Sequence, residues 1–302
     1  MMKISSRAKP EGPSRFLVIL LFCVFAPSLA QSAHTQPQRI VSTSPSITED
    51  LFALGLGSRV VGVSNYCEYP QEVRDLPKVG TFLRPDPELI ARLRPDLVIV
   101  HKLANELANR LTALHIPFAE VDRGTLQSSY TEIQQIGRAT GAEERAAKLV
   151  ANMETRLKRI RAQVAGRRPP TVVFVVGREP GTLSNLVVVG RDAFLNELID
   201  VAGGKNVMAS DSLPAYPHIS LETILRLDPD VIIDMGDMGA KAEERKERAL
   251  ISQALWRQVP RLNAVRQGRV FCPTSTAFLV PGPRSPEAAE ILLSILHGYD
   301  AR

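Results

Sequence analysis

Glu88-Leu-Ile-Ala-Arg-Leu-Arg-Pro-Asp-Leu-Val-Ile-Val100 recurs further along the chain as Glu222-Thr-Ile-Leu-Arg-Leu-Asp-Pro-Asp-Val-Ile-Ile-Asp234. Glu, Ile, Arg, Leu, Pro, Asp and the late Ile coincide in register. Each copy predicts a short helix that stops at a Pro-Asp turn and runs straight into a buried strand. Proline disfavours helix in the residue before it, and the apolar run that follows is rich in β-branched residues. A unit used twice predicts two α/β lobes of one design.

Working outward from the first copy, strands and helices alternate. Ile40 and Val41 open a strand, and Ser46 with Glu49 reads as a capping box for the helix that Gly55-Leu56-Gly57 stops. A strand over 60–63 leads into the loop from Ser64 to Pro70. Asp86 is the expected N-cap of the repeat helix, with Pro87 at its first position. A strand over 97–100 delivers His101 at its end, a helix covers 106–114, and a strand over 118–121 closes the lobe. Helices over 128–140 and 142–165 follow. The second carries Ala147, Val150, Leu157, Ile160 and Val164 on or near one face. Two dozen helical residues span about 35 Å, enough for a strut between lobes.

The second lobe restarts with a strand over 172–176 and an apolar run over 186–189. A helix over 194–201 closes at Gly203-Gly204. Ser220 caps the second repeat, a charged helix covers 241–256, and a strand over 269–272 precedes a last helix capped by Ser285. Such alternation implies mainly parallel sheets flanked by helices. The expected fold is α/β: two Rossmann-like lobes with parallel-rich sheets, over 38–125 and 169–302. A helical segment over 126–168, containing a single long backbone helix, joins them.

The 302 residues, 44% of them hydrophobic, suffice for two cores. Lys3, Arg7, Lys9 and Arg15 precede an apolar run from Phe16 to Ala26 and the small residues Ser28 and Ala30. Residues 1–30 are therefore read as a secretory signal, its apolar run too short to span a bilayer comfortably. Losing those four bases and Glu11 lowers the formal charge from +5 to +2. No basic tract with interleaved aromatics remains, which argues against nucleic acid as a partner. The Arg-rich stretch 156–168 reads as a solvated helix face. Export makes Cys67 and Cys272 relevant: a disulfide, a shared metal and two independent thiols are all open, and the lack of CxxC spacing favours the thiols.

The chain carries no Gly-x-Ser-x-Gly, Walker loop or His-Glu-x-x-His, and no catalytic residue is assigned. Gly55-Leu56-Gly57 follows a helix instead of joining a strand to one, so it is a helix stop. Binding fits better, because parallel α/β sheets hold ligands beyond the carboxyl ends of their strands. Tyr66, Phe82, His101, Tyr216 and the Thr274-Ser275-Thr276 segment fall at such ends. Several aromatic faces around one cleft suit a large, flat, partly apolar ligand.

The run from Arg39 to Glu49, the run from Val61 to Pro70 and the doubled phrase resemble the periplasmic substrate-binding proteins of ABC importers for cobalamin and iron-siderophores, the helical-backbone metal receptors. The resemblance covers nearly the whole mature chain in order, including Ala202-Gly203-Gly204-Lys205-Asn206-Val207. It implies two α/β lobes on one rigid helix, a ligand held between them, and a monomeric, non-enzymatic periplasmic receptor with no resident cofactor. Among those proteins the similarity is greatest to cobalamin binders. Their ligand-contacting aromatics correspond to Tyr66, Phe82, His101 and Tyr216, with histidine as a departure. An acidic contact of theirs falls near Thr276, a second departure. His101 facing a corrin could approach the cobalt, mark a different metal complex, or be a solvated rim residue. Siderophore binders set arginines against anionic groups, and Arg84, Arg178 and Arg191 are the candidates for that alternative; haem is a further one. A zinc or manganese receptor would have only His101 and His218 near the cleft, and metal ligands stay unassigned. Glu88 and Glu222 sit in first helical turns, where the helix dipole favours an acid. By the resemblance they also dock into the ABC permease dimer, one acid per lobe.

Overall fold

The computed structural model describes residues 36–102, 105–236 and 244–298. The secretory signal expected at residues 1–30 and the start of the helix expected at 241 lie outside the described residues.

Strands β1 (Ile40–Ser42), β2 (Val60–Val63), β3 (Leu97–His101) and β4 (Phe118–Val121) alternate with helices α1 (Pro45–Ala53), α2 (Pro87–Arg92) and α3 (Asn105–Ala113). The strands form one four-stranded sheet in the order β2-β1-β3-β4, parallel throughout. Helices α4 (Leu126–Thr140) and α5 (Glu143–Gln163) follow. A second, six-stranded sheet is built from β5 (Thr171–Gly177), β6 (Leu186–Val188), β7 (Lys205–Asn206), β8 (His218–Ile219), β9 (Val231–Asp234) and β10 (Val270–Phe271). Its order is β10-β9-β5-β6-β8, with β7 beside β5. The β10-β9-β5 part is parallel, whereas β6 and β8 are antiparallel additions. Helices α6 (Phe194–Val201), α7 (Leu221–Leu227), α8 (Arg245–Arg257), α9 (Asn263–Arg266) and α10 (Ser285–His297) complete this part of the chain.

The doubled phrase becomes α2-β3 in the first lobe and α7-β9 in the second. Arg94 and Asp228, the residues before the two prolines, both take left-handed backbone (φ 47° and 39°), which ends each helix abruptly. The repeated aspartate has the same task in each lobe. Asp96 accepts from the Gln38 and Arg39 amides at 2.7 and 2.8 Å, and Asp230 accepts from the Thr171 amide at 2.8 Å. Each therefore pins the start of the neighbouring strand, β1 or β5, and these bonds hold the Asp230 carboxyl below its usual range.

The backbone helix α5 is 21 residues long, about 31 Å. It lies against α4 on one side and against α6 and α10 on the other. Its buried face is Ala146, Val150, Met153, Leu157 and Ile160; Ala147, expected there, is exposed and Ala146 takes its place. One hydrophobic core runs from Ile40 and Ile99 through this face to Phe174, Leu198 and Leu292.

Two caps differ from expectation. Helix α1 starts at Pro45 after Ser44, so Ser46 and Glu49 lie inside it and form no capping box. Helix α10 begins at Ser285 itself, with Arg284 in the cap position. Ser46 and Glu49 lose their capping role to stronger demands from partners described below.

Candidate functional site

The carboxyl ends of the first sheet's parallel strands open onto a cavity of about 590 Å³ between the lobes, which loops and helix starts of the second lobe close from the other side. From the first lobe it receives Ser44, Pro45 and Ser46 beyond β1, Tyr66 beyond β2, His101 at the tip of β3 and Arg123 beyond β4. The second lobe contributes Phe194, Tyr216, Arg245, Thr276 and Arg284. All five side chains expected at the ligand, namely Tyr66, Phe82, His101, Tyr216 and Thr276, line this one cavity.

Local backbone geometry explains how the aromatics are presented. Gly80 has φ +96°, and a Cβ there would sit 2.6 Å from the Arg84 carbonyl oxygen. Only glycine allows the tight turn in which Gly80 bridges Pro85 and Phe82 is held at the tip. Gly190 lies so close to the following loop that a Cβ would be 2.3 Å from the Pro214 carbonyl oxygen, and its amide donates to Ala215 at 2.8 Å. That contact fixes the neighbouring Tyr216. Tyr66 and Tyr216 are 57% and 42% exposed, far more than packing aromatics would be. The Tyr66 and Phe82 rings meet edge to face at 6.3 Å, and the Arg123 guanidinium lies 5.9 Å from the Phe82 ring centre.

Beneath the aromatics lies a layer of polar groups. Arg284 grips Glu49 through Nε at 2.8 Å and Nη2 at 2.5 Å, donates to Thr276 Oγ1 at 2.8 Å, and stacks 3.9 Å from the Tyr69 ring centre. This pair ties α10 to α1, and Arg245 with Glu68 at 2.5 Å makes a second tie across the cleft. Glu132 is buried, with Oε1 accepting from Ser46 Oγ at 2.9 Å and lying 3.1 Å from His101 Nε2. Burial pushes the Glu49 carboxyl up although Arg284 pulls against it. Asp50 next to it is pushed well above the usual carboxylate range, first by burial and then by the charges of Glu132 and Glu49. Arg123 and Asp192 are the cavity-lining charges with no ion-pair partner among the described residues.

Arg178 is not at the cleft: it is buried against Asp234, with Nε to Oδ2 at 3.1 Å, and supports the end of β9. Arg191 pairs with Asp211, and Arg84 lies outside the cavity lining. His218 is hydrogen-bonded to Asn185 at 2.7 Å and does not line the cavity. No cluster of three metal-ligating side chains occurs among the described residues. Cys67 and Cys272 are separate free thiols. Burial pushes them up to about 11 and about 12. Glu88 and Glu222 are exposed in the first turns of α2 and α7.

Sequence reasoning did not find Ser46, Glu49, Glu68, Glu132, Arg245 and Arg284. The available signal was acidic residues in apolar register: Glu132 falls in the α4 stripe of Ser129, Ile133 and Ile136, and Glu49 and Asp50 stand between Ile47 and Leu51.

Two α/β lobes on a helical backbone, with one aromatic cleft between them, define a bilobal ligand-capture protein. The chain belongs to the periplasmic binding protein family, whose match covers residues 40–275. It is 32% identical to an uncharacterized ABC transporter substrate-binding lipoprotein of Bacillus subtilis, over 87% of this chain and 81% of that one. It is 27% identical to a vitamin B12-binding protein of Vibrio cholerae, over 93% and 96%. Among solved structures, a periplasmic heme-binding protein from Roseiflexus sp. RS-1 superposes with a TM-score of 0.74 at 28% identity, covering 86% of this chain and 98% of that one. The protein is thus a substrate-binding component of an ABC transporter, with a small-molecule ligand and a permease as its partners.

Proposed function

We propose that this chain is a monomeric periplasmic receptor that captures a corrinoid in the interlobe cleft and hands it to the permease dimer without chemical turnover. Residues 1–30 direct export, 38–125 and 169–302 are the two capturing lobes, and 126–168 holds them apart. Tyr66, Phe82 and Tyr216 face the macrocycle, and His101 and Thr276 contact it from the floor and side. No cofactor resides in the protein; the metal arrives inside the ligand. Glu88 and Glu222, one per lobe and both exposed at helix starts, are the groups that meet basic sockets on a two-fold permease.

The carrying observation is the pairing of charge inside the cavity. Arg284 is committed to Glu49 and Arg245 to Glu68, and the His101 ring is in hydrogen-bond contact with Glu132. A ferric siderophore with several anionic groups needs free guanidinium groups, and here one cleft arginine, Arg123, lacks a carboxylate among the described residues. A large, formally mild macrocycle fits a half-aromatic, internally neutralised cleft better. Haem is the second reading, supported by the Roseiflexus neighbour and by Arg123 as a partner for one propionate.

The test is calorimetric titration of the purified mature chain with cyanocobalamin, haem, a ferric hydroxamate and a ferric catecholate. The corrinoid should bind tightest, with one ligand per chain. Tightest binding of either siderophore overturns the macrocycle reading.

A further inference from the structure

We infer that a second cavity, opening beside the cleft, binds an anionic arm of the ligand, and that the group it takes is a phosphate ester carried on the edge of the macrocycle. The inference rests on the corrinoid reading above and adds a binding site to it.

This cavity, of about 800 Å³, shares Phe82, His101 and Arg123 with the cleft and is otherwise lined by the first lobe alone. Its floor is Thr43, the first residue beyond β1, with His101 at the tip of β3 and the buried Leu107 of α3. Thr43 is stitched to β3, its amide and its hydroxyl both donating to the Ile99 carbonyl, at 3.3 and 3.0 Å. In the order β2-β1-β3-β4 the chain leaves β1 for β2 on one side of this seam and leaves β3 for β4 on the other. The cavity therefore stands at the topological switch point of the sheet, where open parallel sheets leave a crevice for a ligand.

Three arginines reach this crevice from separate elements: Arg84 from the turn before α2, Arg110 from α3 and Arg123 from the loop after β4. None of the three guanidinium groups is in a hydrogen bond or an ion pair among the described residues, and Arg123 has only the Phe82 ring beside it. The contrast is with Arg245 and Arg284 in the cleft, both held by carboxylates. Glu88 and Glu106 also line the side cavity, and both are exposed. Glu106 stands one turn before Arg110 without pairing to it, and such an exposed pair is worth little in water. Three guanidinium groups against two solvated acids leave the crevice positive. Planar, forked donors of this kind match the oxygens of a phosphate. The ring side chains of a complete corrin are neutral amides, and its anion is the phosphodiester of its nucleotide arm. With the ring on the aromatics of the cleft, that arm turns past Phe82 and His101 into the side cavity.

The experiment compares dicyanocobinamide with dicyanocobinamide phosphate, which share ring, metal and amides and differ by the phosphate, in calorimetric titrations free of phosphate buffer. Wild type should bind the phosphate form about tenfold or more tightly, the factor carried by a hydrogen bond between charged groups. That ratio should fall as salt rises, because exposed guanidinium groups are screened. Arg84→Gln together with Arg110→Gln removes two of the three cations and should bring the two affinities to within about twofold of each other. Equal affinities in wild type, or an undiminished ratio in the double variant, overturn the side cavity and leave the corrinoid reading standing. Wild type that binds haem or a ferric siderophore and neither corrinoid overturns both. If added inorganic phosphate raises the affinity of plain cobinamide to that of the phosphate form, the cavity holds a free anion and its role as the seat of a ligand arm is overturned. Should the double variant not fold by circular dichroism, wild type decides alone, and a ratio unmoved by salt overturns the inference.

Discussion

The Arg284–Glu49 pair is the contact whose removal says most about how this molecule is held together. Its side chains are 10% and 6% exposed, so solvent screens it little. Arg284→Met keeps the aliphatic stem and removes two bonds to Glu49 and two to Thr276. Breaking one side of a buried pair costs about 3–5 kcal/mol, because the remaining charge is left without compensation. Glu49 can escape part of that cost by taking up a proton. Burial already pushes its carboxyl above the ordinary value, and the opposing pull of Arg284 disappears in the variant. A carboxyl with a higher folded than unfolded pKa binds its proton more tightly in the folded chain, so stability is gained as pH falls and lost as pH rises. The deficit should therefore be about 3–4 kcal/mol at pH 8, or roughly 6–15 °C in Tm, and should shrink toward pH 5. Adding Glu49→Gln should recover most of it at pH 8. Urea denaturation of wild type, both single variants and the double variant, at pH 8 and pH 5, supplies the cycle. A loss below about 1 kcal/mol at pH 8, typical of exposed pairs, or a loss independent of pH, refutes the reasoning.

Truncating Tyr66 or Tyr216 to alanine should weaken corrinoid binding by about 1–2 kcal/mol each, roughly 5–30-fold in Kd, with Tm little changed because both rings are largely exposed. Calorimetry on the two variants checks this, and an unchanged Kd removes that ring from the site. The double variant Glu88→Ala with Glu222→Ala should retain wild-type affinity in solution and lose uptake in cells; reduced affinity of the purified variant counts against docking. Cys67 is buried and Cys272 half-buried, and the two are pushed up to about 11 and about 12, so native protein at pH 8 should react with a thiol-specific disulfide reagent about two orders of magnitude more slowly than urea-unfolded protein. Rapid labelling of two thiols in the native state contradicts that.

Most of the backbone was legible because local signals and tertiary structure agree here. Asp86 caps α2 through its bond to the Leu89 amide at 3.0 Å, as a cap followed by proline predicts. The β-branched runs after both Pro-Asp turns are interior strands, and the aromatics Tyr66, Phe82 and Tyr216 meet in one cavity, although of these Tyr66 alone directly follows a strand, Phe82 lying in the Gly80–Pro85 turn and Tyr216 just before β8. What failed to show was long-range. Ser46 and Glu49 have the spacing of a capping box, and nothing local says that Glu132 and Arg284, far away in sequence, will claim them instead. Arg178 follows the same rule: an arginine near a strand end looks available in sequence until the fold brings Asp234 and Ser252 against it. Partners of buried charges are properties of the fold, and a single sequence reports only that a charge stands in an apolar register.

The same buried charges bear on how far the lobes move. A core continuous through α5 leaves no soft seam along the backbone, and two ion pairs already cross the cleft. Opening the lobes widely would strand Glu49 and Arg284 from one another, at the cost worked out above for a broken buried pair. Ligand entry consequently has to proceed with small rotations, and the surfaces already formed at the cleft are chiefly the exposed faces of Tyr66, Phe82 and Tyr216. A permease reading such a protein cannot rely on a large closure to tell loaded from empty. It needs contact with both lobes at once, and the docking proposed for Glu88 and Glu222, one acid at each of two equivalent helix starts, would supply that geometry.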